Sequence, residues 1–464
     1  MAVMRLADGA YGLAVSILLT IAVPSPAWTT GSPGVTEESG TLEPPPEESP
    51  PVGIEAEEAP GAGRVKEIRL YGLKATRPYI VFRELEIDLG EPVTPESLEA
   101  DRRRLDRLDL FSDIEVRAVE EADGVVVEYD LRENSPWLPS VSVQITDENG
   151  VSAGGGVRYS NFLGRDISGR VRVLAGGATT VETLLRNPWV AGNHLAYQAG
   201  YRHLERHNSL VDFFETVDGL EVGMDSWIGT RGRVGAKLGY LELRSDQDGK
   251  TLSPDNRDKV FEVALFAGLD TRDVLSATNT GWWNEIEIRH SRQLETSTGF
   301  WQLTVDVRRY LRLGRRQTIT LFPIARLRSG TPGVDIAPWQ MFYLGGTNSV
   351  RGWSLASREG KNEAIVTSEY RYRLLEPRGW NLPFGIRYRG GIDLAAFVDV
   401  GIVWDESDQF AWRNSIAGGG IGLRALVPFI GVMRFDVAMG ESGGKVMVHI
   451  GGFEKPVRTR NRVR

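Results

Sequence analysis

Residues 261–270 read Phe261-Glu262-Val263-Ala264-Leu265-Phe266-Ala267-Gly268-Leu269-Asp270. The odd positions are apolar without exception, while the even positions include Glu262, Gly268 and Asp270. Successive side chains of a strand point to opposite faces, so this stretch presents one apolar face and one mixed face. The same period recurs at Arg231–Tyr240. There Val234, Ala236, Leu238 and Tyr240 alternate with Arg233, Gly235, Lys237 and Gly239. It recurs again where Trp301, Leu303, Val305 and Val307 alternate with Gln302, Thr304, Asp306 and Arg308. About sixteen such segments fit into residues 134–455, at roughly 20 residues per strand plus turn, which is the spacing of a transmembrane barrel. The expected fold is therefore mainly β: an antiparallel β-barrel with an apolar outer face and a polar lumen. A soluble sandwich or propeller explains alternation, but it has no use for so many charges opposite an apolar face. No blade-length repeat is evident either.

Glycine and tryptophan fit the same reading. Of 53 glycines, 42 follow residue 133, where small inward side chains suit a crowded lumen. Eleven of the 12 tryptophans follow it too, as aromatic girdles at the two membrane interfaces require.

The chain has 464 residues and a formal charge of −8. Residues 29–63 hold eight glutamates and no other charged residue, so that one segment equals the whole net charge. Residues 64–133 carry 12 basic and 18 acidic residues, and residues 134–464 carry 41 and 35. An acidic segment and module thus precede a basic barrel. This distribution argues against a nucleic-acid binder, which shows a basic face. The absence of cysteine excludes a disulfide framework, a zinc–thiolate site, a thiol nucleophile and a lipid-modified cysteine.

Residues 1–27 read as a secretory signal peptide. Arg5 supplies a positive start, Leu13–Val23 is uncharged, and Ser25-Pro26-Ala27 offers small residues for cleavage. That stretch is shorter than the roughly 20 residues a spanning helix needs. Residues 28–63 follow as a linker whose prolines and glutamates bury too little apolar surface to offset ordering entropy.

Residues 64–133 predict a small α/β module. Residues 65–70 alternate as a strand, Arg77–Leu89 allows a short helix ended by Gly90, and Thr94-Pro95 gives an N-cap with proline at the first helical position. Leu98, Leu105 and Leu108 lie near one face of that second helix. Ile114–Val119 and Val125–Leu131 alternate again around Asp123-Gly124, a hairpin signal.

This module resembles a POTRA domain, through Ile68-x-Leu70-x-Gly72, Gly90-Glu91-Pro92 and Leu105-x-x-Leu108-x-Leu110-Phe111. The barrel region resembles outer-membrane assembly proteins of the BamA/TamA type in four passages. These are the turn motif Asp270-Thr271-Arg272-Asp273 with Thr280-Gly281; the loop Gly345-Gly346-Thr347-Asn348-Ser349-Val350-Arg351-Gly352-Trp353; Phe397-Val398-Asp399-Val400-Gly401; and Gly418–Arg424 with Val432–Glu441. The resemblance implies that POTRA-like residues bind unfolded outer-membrane or secreted polypeptides by adding a strand to a sheet edge. It implies too that the loop of Val350, Arg351, Gly352 and Trp353 folds into the lumen, with Arg351 paired to acids on the wall. Parity supplies the acids. If Val366, Tyr370 and Tyr372 face lipid, Glu369 faces inward, and if Leu394, Ala396, Val398, Val400 and Ile402 face lipid, Asp399 faces inward too.

The resemblance is incomplete. One POTRA-like module fits where family members carry several, and a basic tail, residues 456–464, follows a last strand ending at Phe453. Gly420-Ile421-Gly422-Leu423-Arg424-Ala425 fits a dinucleotide pattern, but Pro428 prevents the helix it requires. His203 and His207 share one strand face without a third metal ligand in view. No nucleophile elbow or phosphate loop occurs, so the expectation is a non-enzymatic protein without cofactor or metal. It is expected in the bacterial outer membrane as a monomeric barrel in contact with lipid, with residues 28–133 in the periplasm. Insertion or translocation of polypeptides is the leading function. A two-partner-secretion-like transporter and a passive channel are the alternatives.

Overall fold

In the computed structural model the described residues are 52–55 and 63–452, apart from 109, 191–194, 229–230, 273–279, 382–386, 407–408, 428–430 and 441–445. The expected signal segment, most of the linker, Asp273, Phe453 and the basic tail lie outside the described residues. The chain forms two units: residues up to Leu138 with Arg158–Gly169, and Pro139–Val157 with everything from Arg170 onward.

The first unit is built around a four-stranded sheet. Strands β1 (Val52–Glu55), β2 (Val65–Tyr71), β3 (Phe111–Glu121) and β4 (Gly124–Glu133) lie in the order β1-β2-β4-β3, and only β2 and β4 run parallel. Helices α1 (Pro78–Phe82) and α2 (Pro95–Arg107) connect β2 to β3. The start of α2 follows from its capping residues. The N–H of Ser97 donates to Thr94 Oγ1 (3.1 Å) and the N–H of Thr94 to Ser97 Oγ (3.0 Å), while Pro95 occupies a position whose N–H would have no partner. Alternate residues Ile68 and Leu70 of β2, with Val127, Tyr129 and Leu131 of β4, meet Leu105 of α2 in the core. Gly72 is required by both its φ of +77° and the carbonyl of Leu131, which would lie 2.2 Å from an added Cβ.

Two details differ from the sequence reading. Helix α1 stops at Phe82 instead of reaching Leu89. The N–H of Glu86 goes to the buried carboxylate of Asp101 (2.6 Å), an alternative to a helical carbonyl. Second, the linker is not structureless throughout. Val52–Glu55 pairs antiparallel with β2, Val52 opposite Leu70 and Glu55 opposite Glu67. The exposed backbone groups of an edge strand accept whatever extended chain reaches them, and Val52-Gly53-Ile54 has the period of a strand despite its acidic surroundings. The compact unit around this module also takes in residues beyond 133. Residues 158–169 belong to it because the turn after β6 (Gly150–Phe162) is bonded to the module. Asn161 Nδ2 donates to Thr76 Oγ1 (2.7 Å), Arg77 N–H to the Gly164 carbonyl (3.0 Å), and Arg83 Nη2 to Asp166 Oδ2 (2.7 Å).

The second unit is a 16-stranded antiparallel sheet, the wall of the β-barrel. Strands β5 (Trp137–Thr146) to β15 (Gln317–Arg328) follow in chain order, and β15 pairs with β18 (Asn362–Asn381). Then come β19 (Arg387–Trp404), β20 (Ile416–Val427), β21 (Gly431–Met439) and β22 (Val446–Gly452). Between β15 and β18 a long loop makes its own hairpin, β16 (Phe342–Leu344) with β17 (Arg358–Gly360).

Burial along the wall is inverted relative to a soluble sheet. In β12 (Arg257–Asp270) the apolar Leu265 is 63% exposed, whereas Glu262 is 9% exposed. The inward charges are joined across strands. Lys237 Nζ reaches Glu287 Oε2 (2.7 Å), Arg289 bonds Glu287 (3.0 Å) and Glu262, and Ser291 Oγ bonds Glu262 (2.7 Å). Apolar groups outside and paired charges inside are what lipid on one side and a wet lumen on the other demand.

The phenol of Tyr129 donates to Asp101 Oδ2 (2.7 Å) in the module core, and burial beside that carboxylate pushes its ionisation far above the ordinary range. Tyr129→Phe leaves Asp101 short of a donor and should cost about 1–3 kcal/mol. Native-state proteolysis of the full chain will show this as faster cleavage within residues 64–133. Unchanged cleavage would mean the bond contributes nothing.

Candidate functional site

The loop between β15 and β18 turns on glycines. Gly345, Gly346 and Gly352 have φ values of +104°, +84° and +88°, a region that favours glycine. These turns carry Val350 and Arg351 into full burial against the inner wall. Val350 packs with Leu344, Ile365 and Ile416. Gly401 of β19 makes room for it, since a Cβ there would lie 2.7 Å from Val350 Cγ2. Gly418 of β20 does the same for the backbone, because its Cβ would lie 1.9 Å from the Arg351 carbonyl oxygen.

Arg351 is held from every side. Its Nε and Nη2 donate to the two oxygens of Asp399 at 2.7 and 3.0 Å, and its own N–H adds a third bond to Asp399 at 3.1 Å. Its Nη1 donates to Glu369 Oε1 (3.1 Å) and to Asp436 Oδ2 (2.8 Å). The guanidinium plane lies over Phe397, its central carbon 3.4 Å from the ring centroid. Thr367 Oγ1 steadies Asp399 (2.8 Å). Arg424 bonds both Glu369 (2.9 Å) and Asp436, and Arg371 bonds Glu369 (3.1 Å). A planar fork that stays ionised is the group that a bidentate carboxylate in a desolvated site selects, and lysine cannot reproduce it.

Of the residues expected from sequence, the structure brings Val350, Arg351 and Gly352 together with Asp399 and Glu369. Trp353 closes the group by donating its Nε1–H to the Ala417 carbonyl (2.8 Å). The turn motif stands at the opposite end of the strands. Asp270 and Arg272 pair there with each other (2.9 and 2.7 Å), and Thr271 is bonded to Trp282 through its N–H (2.8 Å) and its Oγ1 (2.9 Å). His203 is apart from both and meets Asp218 (2.8 Å).

Sequence reasoning missed Asp436, Arg424 and Arg434. Parity alone gives all three an inward side, but strand register decides that they meet Arg351, and register is not written in alternation. Arg434 is 1% exposed, and its guanidinium nitrogens have no hydrogen-bond partner among the described residues. Four guanidiniums (Arg351, Arg371, Arg424, Arg434) thus face three carboxylates (Glu369, Asp399, Asp436). The arrangement can seat a loop and join four strands.

A 16-stranded barrel wall with an arginine-anchored loop on its inner face, preceded in the chain by a small α/β module, defines an outer-membrane β-barrel protein. Residues 161–446 match the model of the Omp85 superfamily domain, and residues 63–134 match the POTRA model described as surface antigen variable number repeat. The chain belongs to the Omp85 superfamily.

Solved structures share the fold. BamA from Haemophilus ducreyi lacking POTRA domains 1–3 is similar with a TM-score of 0.61 at 16% identity, over 88% of this chain and 90% of that one. CdiB from Escherichia coli gives 0.54 at 14%, over 87% and 80%. CdiB from Acinetobacter baumannii gives 0.52 at 13%, over 85% and 73%.

Removing one partner of a buried ion network leaves the others uncompensated, which costs about 3–5 kcal/mol. Arg351→Glu should therefore lower the temperature at which the barrel loses its heat-modifiable gel mobility, and Arg351→Lys should fall between it and wild type. Adding Asp399→Arg to Arg351→Glu should recover part of the loss. Wild-type mobility for Arg351→Glu would show that the network does not support the barrel.

Proposed function

We propose that the chain assists the insertion or translocation of polypeptides at the outer membrane. The observation that carries this reading is the arginine loop itself. A passive pore has no use for a long loop buried by a many-bonded cation inside its lumen, whereas a barrel that must hold its shape while handling a client does. Export through residues 1–27 and a periplasmic position for residues 28–133 complete the reading. The barrel acts as a monomer in lipid, without bond chemistry, cofactor or nucleic acid.

Client capture falls to the module. Its sheet ends on β1 at one side and β3 at the other. The β2 edge is taken by the chain's own Val52–Glu55, so an incoming extended segment adds to β3, where backbone hydrogen bonds give affinity with little demand on client sequence. The barrel then offers the meeting line of its first and last strands. Barrel strands have no free edge while that line is closed, and a client strand gains a template when it opens.

Depletion of the protein followed by quantitative analysis of the outer-membrane proteome tests the proposal. General loss of barrel proteins is the expected result. Loss of one secreted protein instead would point to a dedicated transporter. An unchanged proteome with measurable single-channel conductance of the purified protein would sink the proposal in favour of a pore.

A further inference from the structure

Two of the fastenings of the loop that carries Arg351 lie toward opposite ends of the 16-strand order. One is the clamp on β18, β19 and β21. The other is Asp147, in the turn between β5 and β6, 200 residues before its partner. The N–H of Thr347 donates to Asp147 Oδ2 (2.5 Å), and Thr347 Oγ1 lies 2.7 Å from both carboxylate oxygens. Gly346 gives that carboxylate access, because a Cβ there would lie 2.9 Å from Asp147 Oδ2. The turn is braced from its other side. Glu148 accepts from Arg206 Nη1 (3.0 Å), and the Glu148 carbonyl accepts from Ser209 Oγ (2.5 Å).

The two fastenings differ in kind. Arg351 is wholly buried and bonded to three carboxylates. At the other fastening Asp147 is exposed, and it accepts from the hydroxyl and amide of buried Thr347. Water competes for an exposed carboxylate far more easily than for a desolvated ion network. On the clamp side, Gly352 presses on the backbone of Met439 at the end of β21 (2.6 Å from an added Cβ). A single loop therefore links the hairpin of the first barrel strand to the penultimate strand. Its link to the first hairpin ends on an exposed carboxylate.

We propose that Asp147 and Thr347 form a releasable latch on the meeting line of the first and last strands. While they are bonded, the loop holds the β5–β6 turn to β18–β21. When they part, Arg351 stays clamped and the first hairpin is freed, so that β5 and β22 can separate. Asp147 is a positioning residue in this scheme. The inference rests on the reading that clients enter between the end strands, and it adds the device that controls that entry.

The chain contains no cysteine, which makes engineered thiols unambiguous. Full-length D147C/T347C protein, folded into phosphatidylcholine vesicles, should insert a urea-unfolded outer-membrane barrel at least tenfold more slowly when oxidised than when reduced. Reductant should restore the rate, and D147C or T347C alone should ignore the oxidant. A second measurement does not depend on insertion. Spin labels at S142C in β5 and M447C in β22 should show a larger long-distance population in D147N or T347V than in the otherwise wild-type chain. If the wild-type background inserts no client, the function proposed above fails, while the label distances still decide the latch. Unchanged distances in both variants, or equal insertion by oxidised and reduced D147C/T347C, would overturn it.

Discussion

Everything in the barrel is arranged around one charge that cannot be given up. A guanidinium keeps its charge at any ordinary pH, so burying Arg351 obliges the wall to supply carboxylates at fixed places. Asp399, Glu369 and Asp436 come from three different strands, and each must sit at the correct height for one planar group to reach all of them. A register slip of one residue on any of these strands would turn its acid toward lipid. The arginine therefore reads the register of the wall as well as seating the loop. Gly401 and Gly418 are the steric counterpart, because a side chain at either position would push the loop off the wall.

The same alternation that satisfies the lipid supplies this chemistry. Along β19 the inward positions are Phe397, Asp399 and Gly401: a ring beneath the guanidinium, the carboxylate that grips it, and a gap for Val350. The outward positions between them, Val398 and Val400, contribute apolar surface. Five consecutive residues thus meet both environments, with no residue required to serve two purposes.

Sequence made the barrel legible because its signal is repeated in every strand and depends only on parity. Asp399 and Glu369 were legible for the same reason, once a loop arginine needed partners. What parity cannot give is which inward residue stands level with which on a strand further along. That information lies in inter-strand hydrogen bonding, so Asp436 and Arg424 were hidden although both have inward parity. Asp147 was hidden more deeply, in a turn without periodicity whose partner lies 200 residues away. The strand Val52–Glu55 was concealed by composition. Averaged over residues 28–63, the glutamates and prolines outweigh four residues whose pairing depends on a neighbouring edge and not on their own propensity. The short α1 has a like cause, since Asp101 takes the N–H of Glu86, fifteen residues before it, that local pattern assigns to a helix.

Why the loop is seated by charges and not by an apolar plug follows from the lumen's surroundings. An apolar plug of similar volume would match or exceed an ion network in stability. In a barrel it would also give the inner wall an apolar face to match, and parity would then no longer distinguish inside from outside. With both faces apolar, a strand that slipped by one residue would lose little, and the wall would be poorly specified. A polar wall with a directional network keeps the two faces unlike, so each strand has one favourable register. It also lets a loop be held firmly at Arg351 and lightly elsewhere, because the strength of each fastening depends on how far water is excluded from it. Burial, not bond count alone, separates a fixed point from a movable one on the same loop.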